Sequence, residues 1–304
     1  MNVLATADLH GGIPDKLVQY VQAERKKDKD LILVDGGDFF DSQNSVLMAQ
    51  WFKLCGPVNN KSRSHPRRTP PVIRKMGKMG YDAVVLGNHE FLSNDKYSFD
   101  EMILDLTDYG IPVLSANLCD TSYIDPSTGD YAVPYVNPYI IKKIETEQGD
   151  LNVGILGLTV KEVGESSGPL ELKDFPGYGG SLMLKDLVQE AGPMVKTMRY
   201  NGADLVIAVV HSGEEPKNPK HPGNRIKELA RNVAGIDAIV AAHTHVNIPQ
   251  HKYKNKQGET VIVTQPGKHG EYISKINFTL TKEKGKWIVK EKSSTTHKTA
   301  GQHL

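Results

Sequence analysis

Asp8-Leu9-His10, Gly37-Asp38-Phe39-Phe40-Asp41, Gly87-Asn88-His89-Glu90, His211 and His243-Thr244-His245 supply the residue types that a borderline divalent ion takes as ligands. Each group stands at the exit of a short apolar run. If those runs are strands of one layered fold, side chains far apart in sequence converge on one rim. In an extended chain residues i and i+2 point the same way, so Asp8 with His10, and His243 with His245, could each aim at one point. One such pair is a weak signal, because any single position could equally be a hydrogen-bonded polar cap on a strand. Five groups in this order are a specific one. The chemistry they point to is hydrolysis at a pair of metal ions.

The elements that must hold these groups alternate between strand and helix, the signature of a layered α/β fold. The patterns predict strands over 3–7, 31–34, 82–86, 111–116, 151–158, 204–210 and 236–241. Helices are predicted over 14–27, opened by its proline, and over 45–54, 70–79, 182–200 and 225–233. From Glu259 the texture turns to β, with strands over 260–264, 272–280 and 286–290 and a hairpin at Lys284-Gly285-Lys286. No repeat or linker divides the chain, so one domain is expected over 1–292, with a frayed polar tail over 293–304. Two loops are long enough to be functional. Residues 56–69 carry Lys61, Arg63, His65, Arg67 and Arg68, and residues 212–224 carry Glu214, Glu215, Lys217, Lys220 and His221.

Composition narrows the partners. A chain of 304 residues can bury a large core, and 24% charged residues suit a soluble globular protein. A net charge of +1 gives no global attraction to nucleic acid or to an acidic membrane surface. Two cysteines, Cys55 and Cys119, fit a reduced compartment better than a disulfide framework. The N-terminus lacks the basic and apolar regions of a signal peptide. No apolar run approaches the roughly 20 residues of a membrane span. A cytoplasmic location with no membrane partner is expected.

The ordered series Asp-x-His, Gly-Asp-x-x-Asp, Gly-Asn-His-Glu, His and His-x-His resembles that of the calcineurin-like metallophosphoesterase superfamily. Within it the chain is most similar to the catalytic domain of 5′-nucleotidases and 2′,3′-cyclic-nucleotide phosphodiesterases. Val113-Leu114-Ser115-Ala116-Asn117-Leu118, Val153-Gly154-Ile155-Leu156-Gly157-Leu158 and Thr264-Gln265-Pro266-Gly267-Lys268-His269-Gly270 carry that narrower likeness. It covers residues 2–281. The resemblance implies a four-layer α/β sandwich, two mixed β-sheets flanked by helices. It implies that Asp8, His10 and His245 hold one divalent ion and that Asn88, His211 and His243 hold the other, with Asp38 bridging. Manganese is the first expectation; iron, zinc, cobalt and nickel are also compatible with mixed nitrogen and oxygen ligands. A metal-bridging hydroxide would attack phosphorus in line with the ester bond of a small phosphate mono- or diester, of nucleotide or cyclic-nucleotide type. Asn88 and His89 would contact the phosphoryl group, and His89 would protonate or stabilise the leaving oxygen.

The chain departs from this kin in two places. A histidine acid needs a carboxylate to orient it. The 5′-nucleotidases usually carry that Asp three positions after the histidine, where this chain has Leu92. The resemblance to the wider superfamily implies another solution, the second Asp of Gly-Asp-x-x-Asp, so an Asp41–His89 dyad is expected, with Asp95 as an alternative and helix capping as the other reading of Asp41. Glu90 reads as a hydrogen-bond partner of the ligands. Kin also carry a C-terminal domain that stacks the base; no counterpart follows here, so base recognition by that route is not expected. Asn117 and His221 are candidate substrate contacts, and His269 falls in a loop that could reach the same rim. His251, His297 and His303 read as surface residues. Two other functions compete: a nuclease of the same superfamily acting on DNA or RNA through the basic loop, and a non-catalytic interaction module. The intact ligand series argues against the module.

Overall fold

The computed structural model describes residues 1–56, 68–131, 133–164, 170–215 and 223–299. The first half runs β1 (Asn2–Thr6), α1 (Asp15–Lys27), β2 (Ile32–Asp35), α2 (Val46–Cys55), α3 (Pro71–Met79), β3 (Ala83–Val85), α4 (Asn88–Leu92) and α5 (Lys96–Asp108). It continues through β4 (Val113–Leu114), β5 (Leu118–Asp120), β6 (Ile124–Asp125), β7 (Asp130–Tyr131), β8 (Tyr139–Ile144) and β9 (Leu151–Thr159). The second half runs β10 (Leu182–Leu184), α6 (Leu187–Tyr200), β11 (Leu205–His211), α7 (Ile226–Asn232) and β12 (Ala238–Ala241). It ends with β13 (Asn247–Lys254), β14 (Thr260–Pro266), β15 (Tyr272–Glu283) and β16 (Lys286–Lys298).

Two six-stranded sheets result, ordered β16-β15-β1-β2-β3-β4 and β13-β14-β12-β11-β9-β8. In the first, β1 to β4 are parallel, and β15 and β16 add antiparallel strands. In the second, β9, β11, β12 and β14 are parallel and are closed by antiparallel β8 and β13. The parallel strands are runs of Val, Ile, Leu and Ala because both of their faces are buried. Val3, Ala5, Val34, Ile155, Val209 and Val240 pack between the sheets. Helices α1, α3 and α5 cover the outer face of the first sheet through Leu17, Val21, Ile73, Met76, Phe99 and Met102. Helices α6 and α7 cover the second through Ala191, Val195, Met198, Ile226 and Leu229. This is the expected sandwich of helix, sheet, sheet and helix. Every parallel strand therefore delivers its carboxyl end to one rim.

The sheets approach closely where β9 passes β4. A Cβ added at Gly157 would lie 2.4 Å from Leu114 Cβ and 2.6 Å from its carbonyl oxygen. Gly157→Ala should therefore overpack the interface and lower stability by about 1–3 kcal/mol, read as a lower urea midpoint with an unchanged slope. A variant with the parental midpoint would show that the sheets part freely here.

Two expectations are corrected. Residues 182–184 are a strand rather than the start of a helix, because Leu182 and Leu184 ladder onto β5. The helix opens only after Asp186, whose carboxylate accepts the Val188 and Gln189 amides. The expected tail is not frayed from residue 293: β16 runs to Lys298, paired with Tyr272, and the Thr299 amide donates to Glu271. Its Ser- and Thr-rich end has no apolar period, yet the backbone ladder orders it. Residues 300–304, with His303, lie outside the described residues. Strands β8 and β13 and helix α5 were not anticipated. Of the two long loops, 57–67 and 216–222 lie outside the described residues, and with them His65 and His221. Among the described residues no helix is long and apolar enough to cross a membrane.

Candidate metal centre

The rim groups stand where the strands end, but not by continuing them. Asp8 (φ 53°), His10 (φ 48°), Asp38 (φ 57°), His243 (φ 72°) and His245 (φ 59°) are all left-handed. The expected extended i, i+2 pairing is therefore replaced by tight turns. Such backbones cost about 1–3 kcal/mol each outside glycine, and they persist only where surrounding bonds over-determine them. Those bonds are present: Asp8 N donates to Gly37 O (2.9 Å), His10 N to Asp38 O (2.8 Å) and Gly11 N to Phe39 O (2.9 Å). His243 N donates to the Asp8 carboxylate at 3.0 Å. Glu90 locks the second turn, taking Asp38 N (2.9 Å) and Gly87 N (2.6 Å) on Oε2 and Phe40 N (2.8 Å) on Oε1. It is buried and pushed up to about 7, by burial first and Asp38 second. Its place is beneath the rim, holding the backbone of the Asp38 turn, as expected.

Among the described residues three sets of ligand-type atoms form; one joins His10, Asp41 and His89, and the other two gather the expected metal-type residues. His10, His245 and Asp8 make the first of these two: Nε2 of His10 lies 3.0 Å from Nε2 of His245, which is 3.5 Å from Asp8 Oδ1. Asp38, His211 and His243 make the second, and Asn88 joins it. His211 Nε2 lies 3.1 Å from Asn88 Oδ1 and 3.1 Å from Asp38 Oδ2.

Proton placement shows what these sets lack. His211 Nδ1 is 2.8 Å from Gly36 O, and a carbonyl can only accept, so Nδ1 carries the hydrogen. A neutral His211 then turns its Nε2 lone pair toward two oxygens that also offer lone pairs. Three acceptors facing one another need a cation between them. Without a metal that charge comes from a proton: burial opposes it, but Asp38 lifts His211 to about 9. Asp8 shows the same deficit from the other side. It is fully buried, and burial drives its carboxyl well above the ordinary range, with Asp38 adding to the rise against His211. Asp38 goes the other way: burial would raise it, but His211, together with His89 and His243, holds it well below the ordinary carboxylate range. In the first set burial, then His10 and Lys268, push His245 down to about 4, which leaves its lone pair available at neutral pH. The donor chemistry of both sets fits divalent ions held by mixed nitrogen and oxygen ligands.

Asp41 joins two histidines. Its Oδ2 is 2.8 Å from His89 Nδ1 and 2.6 Å from His10 Nδ1. It does not cap α2, whose cap is Ser45. Burial alone would raise its pKa, but the hydrogen bonds from His10 and His89 hold it at about 2. Asp95, the alternative partner, caps α5 by accepting Ser98 N at 2.8 Å. Gln43, which was not expected here, brings its amide nitrogen to 3.3 Å from His89 Nδ1.

Asn117 is corrected. It reaches the rim, but it is 0% exposed and its amide is spent on the backbone. It donates to Thr159 O (2.8 Å) and Lys185 O (2.9 Å), and it accepts Thr159 N (2.9 Å). It ties the end of β9 to Lys185, just beyond β10, which leaves its amide no free group to offer a substrate. His269 is drawn in: its amide donates to Asp8 O at 2.8 Å and its ring lies 5.4 Å from that of His10. His251 pairs with Glu214 at 2.7 Å and His297 packs on Tyr20 at 5.4 Å, outside both sets.

Comparisons with known proteins agree with this architecture. The trifunctional nucleotide phosphoesterase protein YfkN of Bacillus subtilis is 26% identical over 331 residues, covering 99% of this chain and 21% of that protein. The 2′,3′-cyclic-nucleotide 2′-phosphodiesterase/3′-nucleotidase of Yersinia enterocolitica is 25% identical over 314 residues, covering 95% of this chain and 44% of that protein. The chain thus spans less than half the length of these relatives. The crystal structure of calcineurin-like phosphoesterase YfkN from Bacillus subtilis superposes with a TM-score of 0.78 at 25% identity, covering 100% of this chain and 92% of that one. A 5′-nucleotidase precursor from Thermus thermophilus shares the fold at 20% identity, with a TM-score of 0.67 over 98% of this chain and 54% of that one. The calcineurin-like phosphoesterase family model matches residues 1–247, more than three-quarters of the sequence, and the chain belongs to that family.

Proposed function

We propose that the chain is a dinuclear metal-dependent phosphoesterase acting on small phosphate mono- or diesters of nucleotide or cyclic-nucleotide type. The observation that carries this reading is the convergence of Asp8, His10 and His245 beside Asp38, Asn88, His211 and His243, with acceptor atoms turned toward one another. Asp8, His10 and His245 would hold one ion, Asn88, His211 and His243 the other, and Asp38 would be shared. Bound divalent ions, manganese first, would supply Lewis acidity at the phosphoryl group and lower the pKa of the attacking water. The chain's own groups do the rest. Asp41 fixes the ring of His89 through Nδ1, leaving Nε2 to hold or deliver a proton at the leaving oxygen. Asp41 fixes His10 in the same way, so one carboxylate orients a metal-type ligand and the proposed acid. The names of the relatives support a nucleotide-type substrate. The buried cysteines Cys55 and Cys119, which form no disulfide, support a reducing, cytoplasmic setting.

Chelator-stripped protein should lose hydrolysis of an activated aryl phosphate and regain it on titration with manganese. A screen of mono- and diesters, including 2′,3′-cyclic nucleotides and single-stranded DNA, would then define the substrate. Undiminished hydrolysis after stripping to trace metal would overturn the reading. A preference for DNA that collapses steeply with added salt would point to the nuclease instead.

A further inference from the structure

The turn Pro266-Gly267-Lys268-His269-Gly270, between β14 and β15, presents two groups that the proposed chemistry leaves unused. The turn is rigidly placed. His269 N is bonded to Asp8 O (2.8 Å) and Glu271 N to Lys268 O (3.0 Å). Gly270 packs so closely on α1 that a Cβ there would stand 2.8 Å from Pro14 Cδ and 3.0 Å from Leu17 Cδ2. His269 is itself left-handed at φ 56°, a cost for a non-glycine residue that this scaffold sustains. Its ring stands edge-on to His10 at 5.4 Å and lies 6.5 Å from His245. Lys268 and His269 are both half-buried. Among the described residues neither the Lys268 ammonium nor the His269 imidazole has a hydrogen-bond or ion-pair partner. By contrast His10, His89 and His211 each have one ring nitrogen bound to Asp41 or Gly36.

An ammonium beside a carboxylate-rich centre would ordinarily be neutralised by one of those carboxylates. Here, among the described residues, it pairs with none of them, and the next residue of the turn carries an imidazole that also lacks a partner. Resting on the phosphoesterase reading above, we propose that Lys268 and His269 form the recognition element for the terminal phosphate of a monoester. A monoester phosphate is a dianion with a third non-bridging oxygen, whereas a diester is a monoanion whose corresponding oxygen carries a second ester arm. The ammonium and the imidazole N–H supply charge and donors for that extra oxygen. The element discriminates by charge and hydrogen bonding, and it lies outside the proposed ligand sets.

The test compares Lys268→Met, Lys268→Arg and His269→Phe with the parent, using an aryl phosphate, a bis-aryl phosphate and inorganic phosphate as probes. For Lys268→Met the KM for the monoester should rise about tenfold or more with kcat nearly unchanged, while the diester KM moves less than about threefold. Lys268→Arg should recover most of the loss, and His269→Phe should shift in the same direction as Lys268→Met. Calorimetric titration of the metal-loaded proteins with inorganic phosphate should show the same loss of affinity, with melting temperatures matching the parent. Equal effects on both esters, or parental phosphate affinity in Lys268→Met, would overturn the proposal. If the parent hydrolyses neither ester, the phosphoesterase reading fails, and the phosphate titration still decides the role of Lys268.

Discussion

Asp38→Asn is expected to abolish turnover, by about 10³-fold or more, and to weaken retention of both metal ions. The substitution keeps the shape of the side chain and removes its charge. Asp38 Oδ2 faces His211 Nε2 at 3.1 Å, and Oδ1 accepts the amide of His89 at 2.8 Å. An asparagine can keep the second contact only by turning its NH₂ group toward the position where Oδ2 now offers a lone pair. A carboxylate shared by two dications also offsets their repulsion, which an amide cannot do. Metal content by plasma mass spectrometry, alongside steady-state rates on an aryl phosphate, tests both halves. Parental turnover in Asp38→Asn would refute the shared role, and full metal content with lost turnover would confine Asp38 to chemistry.

His89→Ala should have the second largest effect, and its size should depend on the leaving group. Proton delivery to the leaving oxygen is worth typically about 10²–10⁴-fold, and it matters only when that oxygen is basic. A nucleoside monophosphate, with its alkoxide leaving group, should slow by about that range, while an activated aryl phosphate should slow far less. Equal slowing of both would leave His89 with phosphoryl binding alone. Asp41→Asn should reproduce part of this pattern and also disturb metal binding, because the same Oδ2 serves His89 at 2.8 Å and His10 at 2.6 Å. If its rates and metal content match the parent, the orienting role belongs elsewhere. The pH dependence has a definite sign. Asp41 is held at about 2, below its ordinary 3.8. The stability it contributes is therefore fully present above the unfolded value and is lost as the pH falls through the folded one.

Much of this site was legible because ligand chemistry restricts residue type. Divalent ions accept few side chains, and a parallel sheet presents its strand ends at one rim, so the five groups could be singled out by identity and position, while the choice of Asp8, His10, Asp38, Asn88, His211, His243 and His245 within them came from the family resemblance. The Asp41–His89 pairing was legible for a similar reason, since a histidine acid needs a carboxylate partner. The parallel strands were legible as unbroken apolar runs. The polar end of β16 was not, because its order comes from pairing with β15 rather than from its own side chains.

The amino-acid sequence by itself determined the ligand types, their order along the chain and the layered α/β plan, because these follow from local chemistry and hydrophobic period. Only the tertiary structure decided how each group is used. The left-handed turns at Asp8, His10, Asp38, His243 and His245 are held by hydrogen bonds from segments far away in sequence. The sharing of Asp41 between two rings, the consumption of the Asn117 amide by backbone and the arrival of His269 beside His10 are long-range contacts as well. A side chain's role is set by which atoms surround its polar end, and the fold brings those atoms there.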